Sequence, residues 1–178
     1  LWAVEYQLEL MIVHITTVHP RTDTRIRVKE VASLAGVLEG PVSLFVQDGG
    51  GNETPHGAGV QVIDTGSRYP GRLARMVFGS WRMYREVRRA MPRLVHFHDP
   101  ELIPVGLAFK FSGAKVIYDV HEDVPRQILG KGWLPVWSRR PIASTVEALE
   151  WVAARAFDGV IAATPTIARR FPAEKTVT

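Results

Sequence analysis

The stretch from Leu94 to Asp123, LVHFHDPELIPVGLAFKFSGAKVIYDVHED, decides the fold. Leu94 to Phe97 is a short apolar run, Asp99-Pro100 places a capping aspartate before a proline at the first helical position, and Lys115 to Tyr118 is strand-like again. A strand, a helix and a strand in this order predict two parallel strands joined by a right-handed crossover.

The same alternation continues outward on both sides. Met11 to Thr16 reads as a strand, the polar loop Thr17 to Asp23 leads into a helix over Arg25 to Leu38, and Pro41 opens a second strand at Val42 to Val46. After the glycines Gly49 to Gly51, Val60 to Ile63 reads as a third strand, followed by a helix over about Arg72 to Met91. Toward the other end, Val160 to Ala162 is the last clear strand before a final helix, and Lys175 to Thr178 reads as a strand leading into a linker. There is no internal repeat. The expected fold class is α/β, a Rossmann-like open parallel sheet with helices on both faces.

The 178 residues suit one globular domain, and 46% apolar with 22% charged residues argue against disorder. The absence of cysteine excludes disulfides, thiolate nucleophiles and zinc–cysteine sites, and makes a cytoplasmic location the expectation. No uncharged run approaches the ~20 residues of a membrane-spanning helix. Leu1 to Leu10 has no basic start, so it does not read as a secretory signal. Trp2, Val4, Tyr6, Leu8 and Leu10 alternate with polar or small residues at a strand period, so residues 1–10 read as an edge strand or as vector-derived sequence, and 11–178 as the domain.

In open parallel sheets, ligands bind beyond the carboxyl ends of the strands. The loops there carry Thr17 to Arg25 after the first strand, His96-Phe97-His98-Asp99-Pro100-Glu101 at the fourth, and Tyr118-Asp119-Val120-His121-Glu122-Asp123 at the fifth. Four of the six histidines lie in these three loops, a convergence that marks a candidate site.

At these loops the chain resembles the amino-terminal, acceptor-binding domain of a family 4 retaining glycosyltransferase of the GT-B fold. The resemblance runs from Met11 to Thr178 and rests on His19-Pro20-Arg21-Thr22-Asp23-Thr24-Arg25-Ile26, His98-Asp99-Pro100-Glu101-Leu102, Tyr118 to Asp123, and Ala163-Thr164-Pro165-Thr166-Ile167. It implies sugar transfer with retention, from a nucleotide-sugar donor to a glycan or lipid-linked acceptor, with neither cofactor nor metal. His121 stands where the family's histidine faces the donor sugar, and is the expected catalytic residue. The resemblance assigns substrate binding to His19, Arg21, Asp23, Arg25, His98, Asp99, Glu101, Asp119, Glu122 and Asp123. Where many members carry a Gly-Gly pair in the first loop, this sequence has Arg21-Thr22-Asp23. The family's two glutamates eight positions apart, which belong to the donor-binding domain, have no counterpart here. A carboxyl-terminal donor domain is therefore expected beyond this chain, and the 178 residues alone are expected to fold without transferring sugar.

Two other readings remain open. His96, His98, Asp99 and His121 would suit a metal-dependent hydrolase. The net charge of +4, with Arg72, Arg75, Arg82, Arg85, Arg88 and Arg89 along one helix, would suit a nucleic-acid-binding module, although no nucleic-acid motif is present. On that helix Leu73, Met76, Val77, Trp81, Tyr84 and Val87 recur at helical spacing, so this face is expected to pack on the sheet with the arginines outward. With Lys131, Trp133, Trp137, Arg139 and Arg140 in a following loop, this region also suggests peripheral contact with anionic membrane at its inner face.

Overall fold

The computed structural model describes residues 11–38, 42–54 and 60–178, and residues 1–10, with their expected strand, lie outside them. Short β-branched and aromatic runs between polar loops pair side by side as strands β1 (Ile12–Ile15), β2 (Val42–Val46), β3 (Gln61–Asp64), β4 (Leu94–Phe97), β5 (Lys115–Val120), β6 (Gly159–Ala162) and β7 (Thr176–Val177). They form one parallel sheet in the order β3-β2-β1-β4-β5-β6-β7. The chain direction across the sheet reverses between β1 and β4, and that reversal opens a crevice at the carboxyl edge.

Helix α1 combines a π-wound stretch, Thr24–Val31, with an α-helical one, Ala32–Val37. Asp23 caps it, its side chain accepting from the backbone N–H groups of Arg25 and Ile26. Helix α2 runs through Arg72–Ala74, a π turn Arg75–Gly79, and Ser80–Arg89. Helix α3 opens with a 3₁₀ turn Pro100–Leu102 and continues as Ile103–Phe111. The remaining helices are α4 (Val124–Leu129), α5 (Val136–Ala156) and α6 (Pro165–Ala168).

Alternation along each strand separates two cores. Val13 and Ile15 of β1, Val95 and Phe97 of β4, and Val116, Tyr118 and Val120 of β5 pack with Met83 and Val87 of α2, Leu102 to Phe109 of α3, and Ala153, Ala154 and Phe157 around the end of α5. On the opposite face Ile26 and Val31 of α1 cover Val42, Leu44 and Val46 of β2 and Val62 of β3. Gly106 lets α3 approach β4 closely: a Cβ there would stand 2.7 Å from Phe97 Cε1 and 3.2 Å from Phe157 Cζ.

Three expectations need correction. The apolar stripe of α2 faces the sheet only toward its end, where Val87 is buried and Tyr84 packs on the core, whereas Leu73 is 79% exposed, Val77 61% and Trp81 59%. The π turn shifts the helix out of phase with the assumed period, so Gly79, Ser80, Met83 and Val87 turn inward, and Arg75 turns in as well, toward Glu101. The segment read as a basic, aromatic loop holds most of its residues on α5, where Pro135 precedes the first turn and Trp137, Arg139 and Arg140 lie within it. Asp99 stands at the start of α3 but its side chain makes no capping bond, because its carboxylate is engaged by Thr16 and Thr17 in the loop after β1.

Candidate active site

Asp99 leaves β4 and turns toward the loop after β1. It is almost fully buried, and its Oδ2 accepts from Thr16 Oγ1 at 2.8 Å, the Thr17 N–H at 2.6 Å and the Val18 N–H at 3.2 Å. Burial pushes its carboxyl up, against these donors, which hold the charged form. The bonds tie the first loop to the fourth strand and so set His19 in place. The His19 ring lies between Asp23, with Nδ1 3.1 Å from Oδ2, and Asp99, with Nε2 3.6 Å from Oδ1. Glu101 accepts from Thr17 Oγ1 at 2.6 Å and from Arg75 Nε and Nη2, both at 2.9 Å, a bidentate pair.

The opposite wall is built on β5. Because Tyr118 and Val120 face the larger core, Asp119 points to the other side of the sheet, where it is fully buried. Its Oδ2 lies 2.7 Å from His121 Nε2 and 3.2 Å from His98 Nδ1, and its Oδ1 accepts from Arg25 Nη2 at 2.7 Å. Burial alone would raise the Asp119 carboxyl, but the hydrogen bonds from His121 and His98 outweigh it and hold the group well below the usual carboxylate range. In this arrangement His121 donates through Nε2 to a carboxylate and keeps Nδ1 as an acceptor. The His19 and His121 rings stand 5.1 Å apart, and between these walls lies a cavity of about 220 Å³ lined by His19, Arg75, Asp99, Glu101, His121 and Glu122, among others.

Of the residues singled out in the sequence, the structure gathers His19, His98, Asp99, Glu101, His121 and Glu122 around this cavity. Asp119, Arg25 and Asp23 stand directly behind it. Arg21 lies outside the group: its guanidinium is held by Asp48, with Nε to Oδ2 at 2.9 Å, by Glu53 at 3.1 Å and by the Gly51 carbonyl at 2.7 Å. Asp123 caps α4 and accepts from Arg170 Nη1 at 3.0 Å. Arg170 also bonds Glu150, a fully buried carboxylate on α5 that accepts from the Tyr118 hydroxyl at 2.9 Å. This buried network braces the loop that follows His121.

The sequence reading missed Arg75, Thr16 and Thr17, and with them His14 and Glu30. His14 was visible as a lone imidazole in an otherwise apolar strand, and it pairs in register with His96 on β4. Beneath α1, His14, His96 and His98 form a buried imidazole cluster, with the His14 and His96 ring centroids 4.3 Å apart. Desolvation lowers the basicity of all three and holds His98 at about 3, so the imidazoles are neutral. Glu30 and Arg25 of α1 bond each other at 3.1 Å above them, and burial together with the neighbouring Asp119 pushes the Glu30 carboxyl up to about 7. A hydrolase centre on His96, His98, Asp99 and His121 is not assembled among the described residues: the ligand atoms that lie together are those of His14, Glu30, His96 and His98 and those of His98, Asp119 and His121, and Asp99 belongs to neither group.

The fold and this crevice define a Rossmann-like domain of the GT-B kind. The chain belongs to Glycosyltransferase Family 4, whose sequence profile matches residues 27–175. The match includes His98 to Glu101 and Asp119 to Asp123 and leaves His19, Arg21, Asp23 and Arg25 upstream of it. Among solved structures, sucrose-phosphate synthase from Thermosynechococcus elongatus superposes with a TM-score of 0.62 at 13% identity, over 88% of this chain and 43% of that one. An α,α-trehalose-phosphate synthase (UDP-forming) from Burkholderia vietnamiensis gives 0.51 at 11% identity, over 91% and 41%. The glycotransferase of kitacinnamycin gives 0.51 at 10% identity, over 94% and 50%. At these identities the likeness is one of fold, and this chain spans half or less of each of the three proteins. No curated protein matches the sequence.

Proposed function

We propose that this chain is the acceptor-binding half of a retaining glycosyltransferase that moves a sugar from a nucleotide donor to a glycan or lipid-linked acceptor. The observation that carries the reading is His121, backed by the Asp119 carboxylate at 2.7 Å and standing at the rim of the crevice beside the strand-order reversal. A preorganised imidazole with a carboxylate behind it accepts a hydrogen bond from a sugar hydroxyl and supports positive charge developing at the anomeric carbon. Arg75, held against Glu101, and His19 on the facing wall would orient the acceptor. The nucleotide would be held by a donor-binding domain beyond this chain, so that the crevice closes around both substrates.

Among the described residues no helix is long and apolar enough to cross a membrane. The outward apolar residues of α2, next to its arginines, support peripheral contact with an anionic membrane, and a cytoplasmic location fits the absence of cysteine.

The test is an assay of this chain and of the longer protein side by side, against a panel of nucleotide sugars and acceptors. Transfer is expected from the longer protein alone, and His121→Ala in it should slow turnover by roughly 100-fold while leaving the melting temperature nearly unchanged. Transfer by the isolated chain, or wild-type turnover in the variant, would refute the assignment.

A further inference from the structure

The imidazole cluster beneath α1 holds buried polar atoms without partners. One potential ligand atom from each of His14, Glu30, His96 and His98 lies within 4.8 Å of all the others. The three histidines are each at most 3% exposed, and Nε2 of His14, Nε2 of His96 and Oε2 of Glu30 have no hydrogen-bond partner. Buried polar atoms are paired almost everywhere in folded proteins, so three unpaired ones in a single group point to an additional binding partner. The donor types specify its kind, since imidazole nitrogens and a carboxylate oxygen gathered at this spacing are ligands for a cation.

We propose that His14, Glu30, His96 and His98 bind one divalent transition-metal ion, zinc by preference. Three imidazoles and one carboxylate make an N₃O donor set suited to a borderline cation, and they come from three separate elements, β1, α1 and the end of β4. Both His98 nitrogens are engaged, Nε2 with His14 Nδ1 at 3.1 Å and Nδ1 with Asp119 at 3.2 Å, so the ion exchanges one of these contacts as ring rotations bring ligand atoms spaced within 4.8 Å to the roughly 3.3 Å edge of a tetrahedron with metal–nitrogen bonds of about 2.0 Å. Four protein ligands fill such a site, so its role is structural. The ion clamps α1 onto the sheet, and with it Arg25, whose guanidinium holds Asp119 behind His121. A second group, His98, Asp119 and His121, shares His98 but has no unpaired buried atom.

The experiment uses untagged protein stripped with a chelator and titrated with Zn²⁺ alone, read by elemental analysis and thermal melting, with Co²⁺ as a spectroscopic probe of tetrahedral geometry. One ion per chain is expected, and at a hundredfold excess over Kd the melting temperature should rise by roughly 5–10 °C. Glu30→Gln, which preserves volume, should weaken binding by roughly 10- to 100-fold, whereas His121→Ala should leave it unchanged. Folded wild-type protein that takes up no stoichiometric ion would overturn the proposal and leave ordered water as the partner of these lone pairs. Undiminished affinity in Glu30→Gln, or lost affinity in His121→Ala, would put the ion elsewhere and overturn it equally. None of these readouts depends on sugar transfer.

Discussion

Replacing Arg170 by methionine keeps most of the side-chain stem while removing the charge opposite Glu150, whose residue is 0% exposed. The Glu150 carboxylate then retains only the Tyr118 hydroxyl at 2.9 Å, and Asp123 loses its 3.0 Å bond as well. Breaking a buried ion pair by removing one partner costs about 3–5 kcal/mol, because the remaining charge is uncompensated. At about 3 kcal/mol, a domain of this size should melt roughly 6–12 °C lower near pH 8. The loss should depend on pH. Burial already raises the Glu150 carboxyl against the pull of Arg170, and without the guanidinium it rises further. A carboxyl whose folded-state value exceeds its unfolded value of about 4.3 causes no penalty below that pH, and the penalty grows as pH climbs toward the folded value. Melting curves of the parent and Arg170→Met should therefore converge near pH 4 and separate toward pH 8, and adding Glu150→Gln should recover most of the gap at pH 8. A deficit of equal size at both pH values, or a double variant no better than the single one, would show that packing rather than uncompensated charge sets the cost.

Two further outcomes follow from the packing and the ion pairs. Gly106→Ala should destabilise by roughly 1–3 kcal/mol in chemical denaturation, because the added methyl meets Phe97 at 2.7 Å in a filled core, and an unchanged midpoint would contradict that contact. Asp158 is pushed up by burial but held at about 2 by Lys110 at 2.7 Å, the Val116 N–H at 2.9 Å and Lys115 at 3.0 Å. A lowered carboxyl contributes stability that is present above the unfolded value of about 3.9 and is lost as pH falls through the folded value. Stability should thus fall by about 2 kcal/mol between pH 4 and pH 2 on this account, a leg that Asp158→Asn should flatten in pH-dependent melts.

The parallel sheet was legible because its punctuation is chemical. Strands Val42–Val46 and Leu94–Phe97 lie where the apolar runs and their flanking Pro41 and Asp99-Pro100 put them. The loops after β1, β4 and β5 were legible as a site because polar residues that follow apolar strands in an α/β alternation meet at one edge. The inward face of α2 was legible only at Tyr84 and Val87, since a π turn before them breaks the 3.6-residue period on which the reading relied. Helix α5 was obscured by Pro135, Pro141 and the arginines between them, which mark a loop by composition while its apolar residues sit further on. His14 and Glu30 belong to the site through strand order and helix placement, pairings across long sequence separations that no local spacing reports.

The π-wound start of α1 also sets how the helix can be edited. The N–H of Ala32 bonds the carbonyl of Arg27, five residues back, and the wider turn lets Arg25 and Glu30 meet on one side although five residues of ordinary α-helix would place them well apart. The eight π-wound residues advance about as far around the axis as seven residues of ordinary α-helix, so the cap at Asp23 and the last turns near Val37 keep the phase of a helix one residue shorter. Loss of a single residue between Arg25 and Glu30 would permit ordinary winding and leave the pair four positions apart, still on one side. Gain of a residue there would instead carry Arg25 about 100° away from Glu30 and Asp119 while Ile26 and Val31 kept their hydrophobic pull on the sheet. This helix thus accepts a shorter residue count more readily than a longer one.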